Sequence, residues 1–265
     1  ASEIQDSKAS GHLDITNNLI VSSAGGKTDI YAGGLVGHNQ DSNIQRSNAV
    51  GNVSLTQDNY QRNASFDSNF YLGGLIGHNE NSDIHHSNSS GSVNVVSKID
   101  LDDGSPSSKV YIGGLIGNNQ NSNVVGSQAV GNVVSSGNYL NYQSIWEAYT
   151  GGLIGKNNQS NIDLAQATGH VSSTFKTTHQ HGQMSVGLYT GGLIGNNQNS
   201  HISNVEAVSE VDVTTNIITN NANGYPNVYT GGLIGENSQG KISTATSKGN
   251  VSVLSTLTTN DSSYT

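Results

Sequence analysis

Cysteine is absent from the 265 residues, so neither a disulfide nor a thiolate metal centre staples this chain. Its stability must come from packing and hydrogen bonds. Proline occurs only twice, which excludes a proline-rich linker. Charged residues make up 11%, well under the roughly 25% usual in soluble domains. Lys and Arg number 10 against 19 Asp and Glu, a net charge of −9. Without a basic stripe, neither nucleic acid nor an anionic membrane surface is an expected partner. No apolar run approaches 18 residues, so direct membrane insertion is not expected. No signal peptide opens the sequence, which starts in mid-pattern, and any such segment is expected upstream.

What fills the space is Gly, Ser, Asn and Thr, arranged periodically. The phrase "YTGGLIGNNQNS" at Tyr189 has close copies beginning at Tyr31, Tyr71, Tyr111, Tyr149 and Tyr229, at steps of 40, 40, 38, 40 and 40 residues. Such a period marks a repeat architecture. The Gly pair recurs in all six copies, as Gly113-Gly114 does in the third. So does an Asn column: Asn39, Asn79, Asn119, Asn157, Asn197 and Asn237. Further on come an Ile/Val column (Ile44, Ile84, Val124, Ile162, Ile202, Ile242) and a Val column (Val53, Val93, Val133, Val171, Val211, Val251). A Ser column (Ser42, Ser82, Ser122, Ser160, Ser200) breaks at Gly240.

Local signals are strand and turn. Alternating Tyr, Leu, Ile and Val favour strands, and Gly, Asn and Ser interrupt too often for helices. In "NAVGNVSL", Ala49, Gly51, Val53 and Leu55 share one face. A lone unit cannot bury that face, whereas stacked units can. The sequence therefore predicts an all-β parallel β-helix, or β-solenoid, with one coil per repeat of about 40 residues. Right-handed, three-sided winding is expected by analogy with other parallel β-helices. Residues 1–265 read as a single solenoid fragment of a longer array. A partial unit covers 1–30, full units start at 31, 71, 111, 149, 189 and 229, and the next starts at 264. Like residues should stack: a ladder of Tyr31, Tyr71, Tyr111, Tyr149, Tyr189 and Tyr229, and a ladder of the six Asn. The Asn column is expected at a corner, in left-handed backbone.

Between units lie variable segments such as "TQDNYQRNASFDSNF", "VSKIDLDDGSPSSKV", "SGNYLNYQSIWEA" and "TFKTTHQHGQMSVGL". Their plainest reading is solvated loops or arms, with a part extending the following strand. Their aromatics, Tyr60, Tyr139, Tyr142, Trp146 and Tyr225, form the candidate binding surface. In the repeat phrase, Tyr189 and Leu193 share a parity that Ile194 opposes. A Gly-associated bulge, cover by the variable segments, or an exposed apolar stripe would each account for that, and cover by the segments is the expectation.

"GGLIGNNQNS", "GGLIGHNENS" and "SNAVGNVS" resemble the GLUG-motif repeat, named for its Gly-Leu-Gly core. Similar repeats occur in large bacterial surface and secreted proteins, including filamentous-haemagglutinin-like adhesins, and outside the catalytic domain of immunoglobulin-A-specific metallopeptidases. The resemblance implies an extracellular bacterial β-solenoid, secreted or held at the cell surface.

Sites for chemistry are sparse. In "DLDDGS", a standard calcium loop with Gly104 at its sixth position would need a ligand at Ile99, which has none. Asp100, Asp102 and Asp103 remain weak candidates for an irregular calcium site, against a plain acidic turn. His85-His86, His179 and His181 lack the partners of a zinc site. His38 and His78 share a column with Asn118, Lys156, Asn196 and Glu236, so that column faces outward. No cofactor and no metal is expected. Carboxylates are scattered rather than paired as in glycan-cleaving enzymes, and no nucleophile motif stands out. The expected function is thus a non-catalytic adhesin segment, a rigid stalk with a surface for a host protein or glycan or for self-association. The alternatives are a substrate-recognition region of a secreted metallopeptidase and a polysaccharide-acting β-helix enzyme.

Overall fold

A computed structural model describes residues 2–21, 25–61, 66–101, 107–140, 144–179, 182–219, 222–223 and 226–259. They form strands, turns and bends without a helix, and every strand pairing is parallel. The chain is a β-solenoid of about six turns.

One coil from the middle serves for all. The strand Ser107–Gly113 leads into Ile116–Gln120, then the short strands Val124–Val125 and Gln128–Ala129, then Val133–Leu140. Each pairs with its equivalent in the coils before and after. Tyr71, Tyr111 and Tyr149 are in register, as are Asn79, Asn119 and Asn157, and Val93, Val133 and Val171. The sheet containing Val133–Leu140 has seven strands, so its six steps of about 4.8 Å make a stack roughly 30 Å tall. Counted by sheets, a coil has four walls where three were expected. The variable segments account for the difference, because they are strands and not loops.

Those segments build an arm. Val93–Leu101 runs out along one wall and Ser107–Gly113 returns along the other. The two walls belong to different sheets and face each other through their side chains. Between them lies one hydrophobic core, with Leu55, Phe70, Leu72, Val95, Ile99, Val110, Trp146 and Phe175 among its buried members. The one short step of 38 residues leaves the ladders intact. Asp100 pairs with Leu140 at a spacing of 40 and Ser107 with Ile145 at 38, so the two missing residues fall between Leu140 and Ile145, at the arm's outer end.

A second core sits in the motif half, lined by Leu115, Ile116, Val124 and Ala129 and their equivalents. The Ile/Val column from Val36 to Ile234 faces this core, which corrects the expectation that the variable segments cover it. The reset occurs at the Gly pair. The N–H groups of Leu115 and Ile116 both donate to the carbonyl of Leu153, at 2.9 and 3.1 Å. Two consecutive donors on one acceptor form a bulge, and both side chains then point inward. The bend requires glycine. A Cβ on Gly113 would lie 2.0 Å from the Ile116 carbonyl oxygen, and one on Gly114 would lie 2.1 Å from that of Gly152.

Left-handed backbone is found at the corners, but not at the Asn column. It falls two positions later, at Asp41, Asn81, Asn121, Gln159, Asn199 and Gln239, all with φ of 49–55°. A second set, Asp6, Arg46, His86, Gly126, Leu164, Asn204 and Thr244, marks the next corner.

Candidate interaction surface

The Asn ladder stands just before the first corner. Each Asn donates from Nδ2 to Oδ1 of the Asn one coil on: Asn39 to Asn79 at 2.8 Å, Asn79 to Asn119 at 2.9 Å, and so on to Asn237. The same Nδ2 group donates across the corner to the carbonyl three residues on, as Asn79 does to Ser82 at 2.7 Å. Asn39, Asn79, Asn119 and Asn157 are buried and make both bonds, so both amide protons are used where water is excluded. The Ser column completes the corner. The Ser122 hydroxyl donates to the Gln120 carbonyl at 2.7 Å and accepts the Ser82 N–H at 2.9 Å. This ladder holds the coil together internally and offers no surface.

The Tyr ladder is partly a surface. Its rings stack at centroid separations of 4.7–5.0 Å, within 9° of parallel. Tyr111 and Tyr149 are buried, while Tyr31 and Tyr229 at the ends are each 39% exposed. Burial, aided by neighbouring anionic groups, pushes the phenols of Tyr71 and Tyr189 up to about 12. Tyr111 and Tyr149 are raised further for the same first reason. The Lys156 ammonium lies 5.0 Å from the centre of the Tyr149 ring, a cation–π contact, and its burial pulls its pKa down.

The candidate binding aromatics divide. Tyr139 and Trp146 are buried in the arm core and are not surface residues, which corrects their assignment. Trp146 stacks on Phe175 at 4.7 Å and 23°. The Tyr139 hydroxyl lies 3.2 Å from that of Ser97, which donates to Gln57 Oε1 at 2.6 Å. Because the segments are strands, every second residue turns inward, and these aromatics are on the inward parity. Tyr60 stays on the outer face of the arm, 37% exposed. Tyr142 and Tyr225 lie outside the described residues. So do Asp102 and Asp103 of the calcium candidate. Asp100 stands half-buried in register with Tyr60 and Leu140, so its column brings it no second carboxylate on either side.

Two outer faces remain. On the arm, Ile20, Tyr60 and Val96 are exposed. On the motif half, a shallow groove of about 380 Å³ is lined by Asn48, Val50, Asn88, Ser90, Gln128 and Val130. An amide column beside it bonds from coil to coil, Asn88 to Asn48, Gln128 to Gln166 and Gln166 to Glu206. Lys248 closes on Glu206 at 2.7 Å. Sequence reasoning passed over the exposed Val50, Val130 and Val208. Their signal was parity, since each follows the inward Ala of its strand.

The family model described as the GLUG motif matches residues 28–54 and 68–94. Each match begins inside a Tyr-bearing strand and ends just inside the next Val-bearing strand, so it frames the motif core and leaves out most of the arm. No curated protein and no solved structure matches the chain. The chain therefore carries the GLUG motif, twice by this match, wound into a parallel β-solenoid.

Proposed function

We propose that this chain is a non-catalytic repeat segment of a bacterial extracellular adhesin, a stiff spacer whose outer faces meet host proteins or glycans. The observation that supports this most is the continuity of the ladders. The Asn, Tyr and Val columns pass through every coil in register, and even the short repeat is absorbed at the arm's end. Such a stack transmits load along its axis through parallel hydrogen bonds, while outward positions such as Ile20, Tyr60 and Val96 vary from coil to coil. A spacer needs the first property and a recognition surface needs the second.

The test has two arms. Small-angle scattering on a tandem duplication of the chain should show a rod that lengthens by about 30 Å or more per copy. Beads coated with the chain should bind arrays of extracellular-matrix proteins and glycans above beads coated with an unrelated β-solenoid. A flexible tandem would sink the spacer, and equal bead binding would sink the adhesive role.

A further inference from the structure

His38, exposed, and His78, largely covered, stand in register on adjacent coils, on the strands Val36–Gln40 and Ile76–Glu80. Glu80 lies two residues beyond His78 and so on the same face. One ligand atom from each of the three side chains lies within 4.8 Å of the other two. We infer that His38, His78 and Glu80 form a binding site for one divalent transition-metal ion of the zinc type, with water completing its coordination.

The chemistry of the donors sets the metal class. Two imidazoles and one carboxylate suit borderline ions such as Zn²⁺, whereas Ca²⁺ and Mg²⁺ favour all-oxygen sets. Three protein ligands and a water are a familiar zinc coordination. Bonds near 2.1 Å put tetrahedral ligand atoms about 3.4 Å apart, so the present spacing closes with small side-chain rotations. Nε2 of His78 already lies 3.9 Å from Glu80 Oε2. The imidazoles are tilted 43° to each other with centroids 4.9 Å apart, as converging ligands require and a flat stack does not.

The surroundings hold the ligands in place. His38 stacks on Tyr31 at 5.1 Å, and the His78 ring lies against Tyr71 at 5.3 Å. Behind His78, Asn118 Nδ2 is 3.0 Å from Nδ1. A half-turn of that amide presents Oδ1 instead, which accepts an Nδ1 proton and leaves Nε2 free to bind metal. This is the outer contact that metal-bound histidines make. His38 is exposed and leaves an open side for entry. The remaining coils hold Asn118, Lys156, Asn196 and Glu236 in the histidine column, so the converging pair belongs to the first two coils.

The column itself supplies the control variants. His38→Asn and His78→Asn install a residue this column already carries at Asn118 and Asn196. Glu80→Gln does the same, matching Gln40, Gln120 and Gln198. Each should fold with an unchanged strand circular-dichroism spectrum. Calorimetric titration of the whole chain with zinc chloride should give one saturable site at micromolar zinc, and calcium chloride should give none. Loss of an outer-shell partner alone costs about 10–100-fold in affinity, so each variant should weaken zinc at least tenfold. Binding no tighter than about 1 mM by the unaltered chain would overturn the site. So would parental affinity in any of the three variants, which would place the zinc elsewhere, for instance at His85-His86.

Discussion

In the motif core one residue type, or its close relative, recurs up each column, whereas in the arm core, beyond the Val column at its base, inward columns change type from coil to coil. Leu75, Leu115, Leu153 and Leu193 stack on one another, and so do Ile84, Val124, Ile162 and Ile202. In the arm the corresponding stack reads Gln57, Ser97, Gly137, Phe175 and Thr215, facing Ser68, Ser108, Trp146, Val186 and Pro226. Space is conserved across the arm instead of along it. A Cβ on Gly137 would lie 2.9 Å from the Trp146 ring, so the missing side chain on one wall makes room for the indole on the other. Where both walls are polar they bond, as Gln57 Nε2 does to Ser68 Oγ at 3.4 Å. Repetition fixes register in the motif half, and complementarity between walls fixes packing in the arm, so arm sequences can differ while their strands stay stacked.

The strongest way to break this contrast is at Trp146. Trp146→Ala should cost about 3–5 kcal/mol by chemical denaturation, because Gly137 has nothing with which to fill the cavity. Copying the coil before it, with Gly137→Ser and Trp146→Ser together, should be milder than Trp146→Ser alone, by a coupling of about 0.5–3 kcal/mol. Additive effects would mean that the walls do not compensate each other.

Next in size is the alkaline response of the Tyr ladder, whose strands run from one core into the other. Below pH 10 the phenols of Tyr71 and Tyr189 are protonated whether the chain is folded or not. As pH rises from 10 to about 12 the unfolded chain loses these protons first, so stability falls. At about 1.36 kcal/mol per unit the loss is at most about 2.7 kcal/mol per ring, nearer 1–2 after allowing for partial exposure. Denaturant midpoints across this window, with tyrosinate absorbance followed in parallel, measure it. A flat profile would show that the stacked rings are not protected.

Asn119→Ala tests the repeated polar column. It removes the bonds to Asn79, Asn157 and the Ser122 carbonyl and should cost about 1–3 kcal/mol. A melting curve identical to the parent's would make the ladder ornamental. The smallest effect is expected at Val130→Ser, on an exposed column that carries Ser90 one coil earlier. Its stability should stay within about 0.5 kcal/mol, which separates recurrence inside the core from recurrence outside it.

The same contrast explains what could be read in advance. The period, the Asn and Val ladders and the parallel stack were legible because each column repeats. Trp146 and Tyr139 were misplaced outside because their partners lie across the arm, where no column of like residues announces burial. The turn of the Ile column into the motif core was hidden by a bulge, which changes parity without changing composition. Left-handed corners escaped because Arg46, His86, Leu164 and Thr244 share one with Gly126, and such a mixture carries no sign of the backbone beneath it. The pairing of His38 and His78 with Glu80 spans a full coil and surfaces only once the coils are stacked.

The Asn ladder has one more consequence. All its bonds run the same way, from Nδ2 in one coil to Oδ1 in the next. The amide dipoles therefore add, and each bond polarises its neighbours. The solenoid acquires an electrical direction along its axis, running from Asn39 towards Asn237. A coil set into the stack upside down would oppose N–H to N–H on one side and lone pair to lone pair on the other, so the ladder admits one polarity of coil throughout.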